Sequence, residues 1–266
     1  SNSDFHQPPH PLNQKVGMRT ARSPDGPWKK VGNDGLILDN EKGHFSEGRQ
    51  VVNPAIIQVR GKFHLYYKTT SRQNEKWRTV FGLAIADKLE GPYRHEPKPV
   101  TAEGVVIEDA SAFEWGGKVC LLTTDNHGLV TGLTGGLALW VSDDGINFKR
   151  DWIQLGMRLF PDYLPDYDVK KVKRVYGDKP KPERPKVLII GGKPAYLYVA
   201  SGWIYDGSLR CENHVFKINL PADAGPLPSD HRASTRDTPI VPVERQGVAN
   251  AETNKLDSLP PPGPGE

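Results

Sequence analysis

The chain has 266 residues, 36% of them hydrophobic, and a formal net charge of +3. That is enough chain for one large domain or two ordinary ones. No apolar run is long enough to span a membrane, and no signal peptide is visible at the N-terminus. The small net charge comes without a basic stripe interleaved with aromatics, so no nucleic-acid surface is expected. Gly 27 and Pro 24 are spread as turn punctuation, which favours many short strands over long helices. Cys120 and Cys211 lie far apart and outside any CxxC or Cys/His cluster. They read as two free thiols, with a disulfide as the alternative.

In chain order, residues 1–14, "SNSDFHQPPHPLNQ", carry no strand pattern. Residues 15–32 hold a polar turn closed by an aromatic, "ARSPDGPW". "NPAIIQVRGKFHLYY" (53–67) is an apolar run, a Gly-Lys turn and a second apolar run, which spells a β-hairpin. A second polar turn follows in "AIADKLEGPY" (84–93). The pair then repeats as the hairpin "ASAFEWGGKVCLLTT" (110–124) and the turn "WVSDDGINF" (140–148). The basic run at 168–186 holds three prolines and reads as a solvated, mobile loop. A third hairpin, "PKVLIIGGKPAYLYV" (185–199), is followed by one outer strand in "CENHVFKINL". Residues 221–266 read as a largely flexible Pro-rich tail, with an edge strand expected at 238–243.

Two hairpins per unit make four antiparallel strands, and their regular recurrence indicates the blades of an all-β propeller. About four blades are expected over 15–220, the first lacking its inner hairpin and the last shortened. "SDDGINF" has the form of the Asp-box of sialidase-like propellers, so Ser142 and Asp144 should tie their own turn. Trp28, Tyr93 and Phe148 should pack between blades.

Strands of a meander alternate in direction, so both kinds of turn lie on one face. The opposite face gathers the loops entering each inner strand and those joining the two hairpins of a blade. Charged, amide and aromatic residues concentrate in those loops, and function belongs there. Asn53, Glu108 with Asp109, and Glu183 with Arg184 stand at equivalent mouths of inner strands. Two carboxyls across a pocket, with Arg and His nearby, are the minimum for acid/base cleavage of a glycosidic bond. Polar capping of each strand is the plainer alternative. Alternation along a strand allows only one of Glu108 and Asp109 to face the axis.

The pattern resembles the five-bladed propeller glycoside hydrolases of the arabinanase and β-xylosidase type, family 43 and relatives such as family 117. "IEDASAFEWGGKVCLL" is similar to their Ile-Asp-Pro-x-x-Phe motif, which implies that Asp109 orients the acid. "PERPKVLIIGGKPAYLY" is similar to the blade opening Glu-x-Pro, which implies Glu183 as general acid. "NPAIIQVRGKFHLYY" matches a further blade, with Asn53 as a polar active-site residue. The family's general base is an Asp on the first inner strand, and that strand is missing from the pattern. Asp4 is the only earlier Asp before residue 25, and Glu108 is the substitute.

The remaining candidates are substrate-binding. Asp125 and His127 lie in "TDNHG", and Trp203 and Tyr205 in "SGWIYDG" offer stacking platforms. Arg184, His44 and Arg72 complete the set. No ligand spacing marks a metal site and no cofactor is required; the resemblance leaves a structural Ca²⁺ on the axis open, since relatives sometimes hold a Ca²⁺ or a water there. The resemblance implies an inverting glycosidase acting on a plant or algal saccharide, with a non-catalytic carbohydrate-binding propeller as the alternative. It also implies a secreted or periplasmic protein, a cytoplasmic one being the alternative. The expected partner is carbohydrate, with no nucleic acid and no membrane. A homo-oligomer could form through the open edge of the incomplete blade.

Overall fold

A computed structural model describes residues 14–32, 34–73, 76–101, 105–164, 172–174, 181–205, 208–220 and 224–226. The side chains of 73, 172–174, 202–205 and 208–211 lie outside the description, as do residues 1–13 and 227–266 with the expected strand at 238–243.

The described chain is a succession of antiparallel sheets. β1 (Val16–Gly17) pairs with β4 (Leu36–Leu38), and β2 (Arg19–Thr20) with β3 (Lys29–Lys30), as two short ribbons. β5 (Val52–Val59), β6 (Lys62–Gln73), β7 (Lys76–Ala86) and β8 (Arg94–His95) form a four-stranded meander. β9 (Ile107–Trp115), β10 (Lys118–Asp125), β11 (Leu137–Ser142) and β12 (Gln154–Met157) repeat it. In the last sheet β13 (Val172–Arg174) and β14 (Glu183–Ile190) share one edge of β15 (Lys193–Tyr205), and β16 (Ser208–Lys217) takes the other. These are propeller blades, the first reduced to ribbons. β13 corrects the reading of 168–186 as a loop throughout. β15 runs past the end of β14, and β13 supplies hydrogen-bond partners to Trp203, Ile204 and Tyr205.

The inner hairpins close through the same two-residue turn. Arg60-Gly61, Gly116-Gly117 and Gly191-Gly192 all have positive φ at both positions. That is the type I′ geometry, whose twist matches the right-handed twist of the strands it joins.

Each gap between neighbouring blades is a core. Val16 and Leu38 pack on Val51, Leu65 and Tyr67. Tyr66 and Phe81 pack on Val119, Leu121, Trp140 and Phe148. Cys120, Leu122 and Val141 pack on Leu197, Val199 and Phe216. Period-two alternation therefore sends the two faces of β10 into two different cores. Cys120 is a free, buried thiol, and burial pushes its pKa up to about 12.

The Asp-box is a structural clasp. Ser142 Oγ donates to Asp144 Oδ1 at 2.9 Å and accepts the Gly145 amide at 3.0 Å. Asp144 accepts the amides of Ile146 and Asn147, each at 2.8 Å. Gly145 has φ +72°, and Tyr66 OH donates to its carbonyl at 2.6 Å. A Cβ there would come within 2.7 Å of that hydroxyl, so both backbone and space require glycine. Phe148 packs edge-on against Tyr66 of the preceding blade, and Tyr93 packs into the core of the first blade. Trp28 corrects the pattern: it is 55% exposed, its indole N–H donating to Pro24 O of its own turn. The other two aromatics pack backward onto a preceding blade. Trp28 belongs to the first blade, and no described sheet precedes it.

Candidate active site

Asn53, Asp109 and Arg184 have φ of 49°, 51° and 52°, a left-handed conformation. Each falls in a β-bulge where the inner strand advances three residues while its partner advances two. The segments are Val52 to Ala55, Glu108 to Ser111, and Glu183 to Lys186. Asn and Asp tolerate this conformation, whereas Arg holds it only where surrounding structure imposes it. Strain repeated at one site in three blades is an observation that points to function there.

The bulges also change which side chains meet. Lys68 donates to Glu108 at 2.8 Å, and Asn53 Nδ2 donates to Asp109 Oδ1. Both donors come from the preceding blade, so Glu108 and Asp109 turn toward the same neighbour. A bulge interrupts the strand alternation here, so both carboxyls meet donors of the same neighbouring blade. From the following blade, Lys181 pairs with Glu183 at 3.0 Å and donates to Asn126 Oδ1. Lys186 donates to Ala110 O at 2.9 Å.

These contacts set the carboxyl groups apart. Asp109 has its pKa raised, chiefly by burial, with Glu108 and Glu183 adding to the effect and Arg184 and Lys68 opposing it. Burial also opposes ionisation of Glu108, but Lys68, Asn126 and Lys181 outweigh it and lower its pKa. Lys186 is lowered by burial, against the pull of Asp109. Neighbouring carboxyls with opposed shifts are the arrangement from which acid/base roles are made.

The other expected residues lie elsewhere. Asp125 is fully buried and accepts the amides of Leu129, Val130 and Thr131 and the Thr131 hydroxyl, between 2.9 and 3.1 Å. It anchors the loop after β10 and presents no oxygen to a ligand. His127 is exposed on that loop. His44 is held by Glu96 O at 2.6 Å and Ser46 Oγ at 3.3 Å, which makes it a loop clamp. Arg72 is exposed near the end of β6. Trp203 and Tyr205 have their backbone in β15 and their side chains outside the description.

Lys68, Asn126 and Lys181 were missed as site residues. Each stands in an entry or mid-blade segment on the functional face, so position was a signal. Their residue types alone carry none. Among the described residues, no group of three or more His, Cys, Asp and Glu is placed to hold a metal ion. At the mouth the carboxylates meet lysine and amide donors.

Comparison with solved structures returns the same fold. A family 117 glycoside hydrolase, Zg3597, from the marine bacterium Zobellia galactanivorans, aligns over 76% of this chain and 51% of its own. The identity is 21% and the TM-score 0.50. An endo-arabinase from Bacteroides thetaiotaomicron aligns over 77% and 68%, with 15% identity and a TM-score of 0.54. A third, described as a glycoside hydrolase, aligns over 76% and 56% at 14% identity and 0.52. The chain thus spans about half the length of the first of these. No protein-family model and no curated protein matches. The fold is the β-propeller of glycoside hydrolases, and the resemblance read from the inner-strand motifs is a resemblance of fold.

Proposed function

We propose that the axial mouth binds a plant or algal saccharide and hydrolyses a glycosidic bond. The observation that carries this reading is the triple bulge, which brings Asn53, Glu108, Asp109, Glu183 and Arg184 to one end of three blades. Glu183 delivers the proton to the leaving oxygen. Asp109, fixed by Asn53, orients that proton, and Arg184 holds a substrate hydroxyl. Glu108, ionised beside Lys68, activates water as the base of an inverting reaction. Polysaccharide breakdown places the protein outside the cytoplasm, secreted or periplasmic, which fractionation of the source cells would test.

A panel of aryl arabinofuranosides, xylosides and galactosides tests the reading. Turnover by the wild type, reduced about 10²–10⁴-fold in Glu183→Gln, is the expected result. One observation favours a second reading, a carbohydrate-binding propeller without turnover. Every carboxylate named here already has a donor: Lys68 for Glu108, Asn53 for Asp109 and Lys181 for Glu183. Saccharide binding without hydrolysis by either protein would establish that reading.

A further inference from the structure

The second blade carries an arm that its inner strand does not cover. β5 pairs with β6 only as far as Lys68. Beyond it, 69–73 and 76–80 continue as a two-stranded ribbon. Lys68 lies opposite Phe81, Thr70 opposite Thr79, and Arg72 opposite Trp77. Directly opposed residues share a face, so one face runs from Lys68, the partner of Glu108, out to Arg72 and Trp77. At about 3.3 Å per residue the outer pair lies about 13 Å beyond Lys68, further than one sugar ring in the mouth would extend.

Trp77 is 36% exposed, and the Arg49 guanidinium lies over its ring with Cζ 3.8 Å from the centroid. That stack covers one side of the indole and fixes its plane. By sequence the ribbon carries three cations, Arg72, Lys76 and Arg78, against one anion, Glu75. At its root the hydroxyls of Thr70 and Thr79 are buried with no hydrogen-bond partner among the described residues. The arm is thus polar and cationic, and it presents an oriented aromatic plate.

We propose that this arm is a subsite for an anionic sugar ring, one bearing a carboxylate or a sulfate ester. The ring belongs to an oligosaccharide whose other end occupies the axial mouth, so the inference rests on the saccharide reading above. The C–H face of the ring packs on Trp77, where the apolar plate loses water. The anion is read by Arg72, whose planar fork suits either oxyanion. Arg49 is a positioning residue, acting through the indole.

Calorimetric binding of tetragalacturonate, a sulfated carrageenan tetrasaccharide and a neutral galactan tetrasaccharide tests it. The wild type should bind one of the two anionic chains more tightly than the neutral one, and the stronger of them identifies the anion. Trp77→Ala should weaken that binding on the order of tenfold, and Trp77→Phe less, with thermal unfolding confirming that both fold. Arg72→Ala should remove the preference for the anionic chain, and added salt should erode it in the wild type. Trp28→Ala, an exposed tryptophan just before β3 of the first blade, should change nothing. Equal affinity for all three chains, binding unaffected by Trp77→Ala, or no binding of any chain would overturn the proposal. The aryl glycoside panel separates this from the hydrolase reading. Anion binding that needs Trp77 without any hydrolysis sinks the hydrolase alone. Hydrolysis with no role for Trp77 in binding sinks the subsite alone.

Discussion

The third and fourth blades are built from the same hairpin and turn, yet one strand of each, the middle strand β10 and the edge strand β14, shows how differently they are covered. β10, "KVCLLTTD", is buried at seven of its eight positions, because neighbouring blades cover both of its faces. β14, "ERPKVLII", alternates. Val187 and Ile189 pack toward the third blade, whereas Leu188 and Ile190 are 42% and 55% exposed. Tyr198 and Val215 extend that open apolar face. A blade is thus an incomplete object. Its stability comes from the sheets on either side, and apolar sequence alone does not say whether a neighbour is there.

The largest effect should come from the doubly covered blade. Trp140 is fully buried and donates its indole N–H to Thr123 Oγ1 at 2.9 Å. Trp140→Ala should cost about 3–5 kcal/mol in denaturant unfolding, through the cavity and the stranded hydroxyl. A loss under about 1 kcal/mol would mean that the core between the second and third blades is not packed as described. Next comes the clasp. Asp144→Ala leaves the Ile146 and Asn147 amides without their acceptor and should cost about 1–2 kcal/mol. Its acid behaviour adds a check on sign. The turn's amide and hydroxyl donors outweigh burial and hold the Asp144 pKa far below the usual carboxylate range. Its contribution is therefore complete above the unfolded value, near 3.8, and is lost as pH falls below that. Asp144→Ala should flatten that part of the stability curve, and an unchanged acid limb would count against the clasp.

A third test addresses the seam between the two blades. His214 lies 4.7 Å from the Phe160 ring and beside Phe216. Burial lowers its pKa from 6.5, with Glu212 opposing. The folded state thus binds its proton less readily than the unfolded one, and stability should drop as pH falls below about 6.5. Guanidinium midpoints at neutral and mildly acidic pH should differ less in His214→Gln than in the wild type. The smallest effect belongs to the open face: Val215→Thr should stay within about 0.5 kcal/mol. A substantial loss there would show that the face is covered in solution.

The architecture was legible because it depends on short-range rules. Two-residue turns with positive φ, period-two alternation and the Ser-Asp-Gly clasp are each written within about ten residues, and they recur. The positions of Asn53, Glu108, Asp109, Glu183 and Arg184 followed from that recurrence. Their partners did not. Lys68 meets Glu108 across 40 residues and Asn53 meets Asp109 across 56, and no local pattern encodes such distances. Asp125 looked like a ligand because carboxylates in loops often are, but the loop folds back and consumes its oxygens. Trp28 shared its motif with Tyr93 and Phe148, yet it is exposed where they pack on a preceding blade, which the motif does not distinguish. What the sequence determined by itself is the repeating blade, because turn chemistry and strand alternation act between near neighbours. Tertiary structure alone decided which faces are covered and which charges pair, since both depend on contacts between blades.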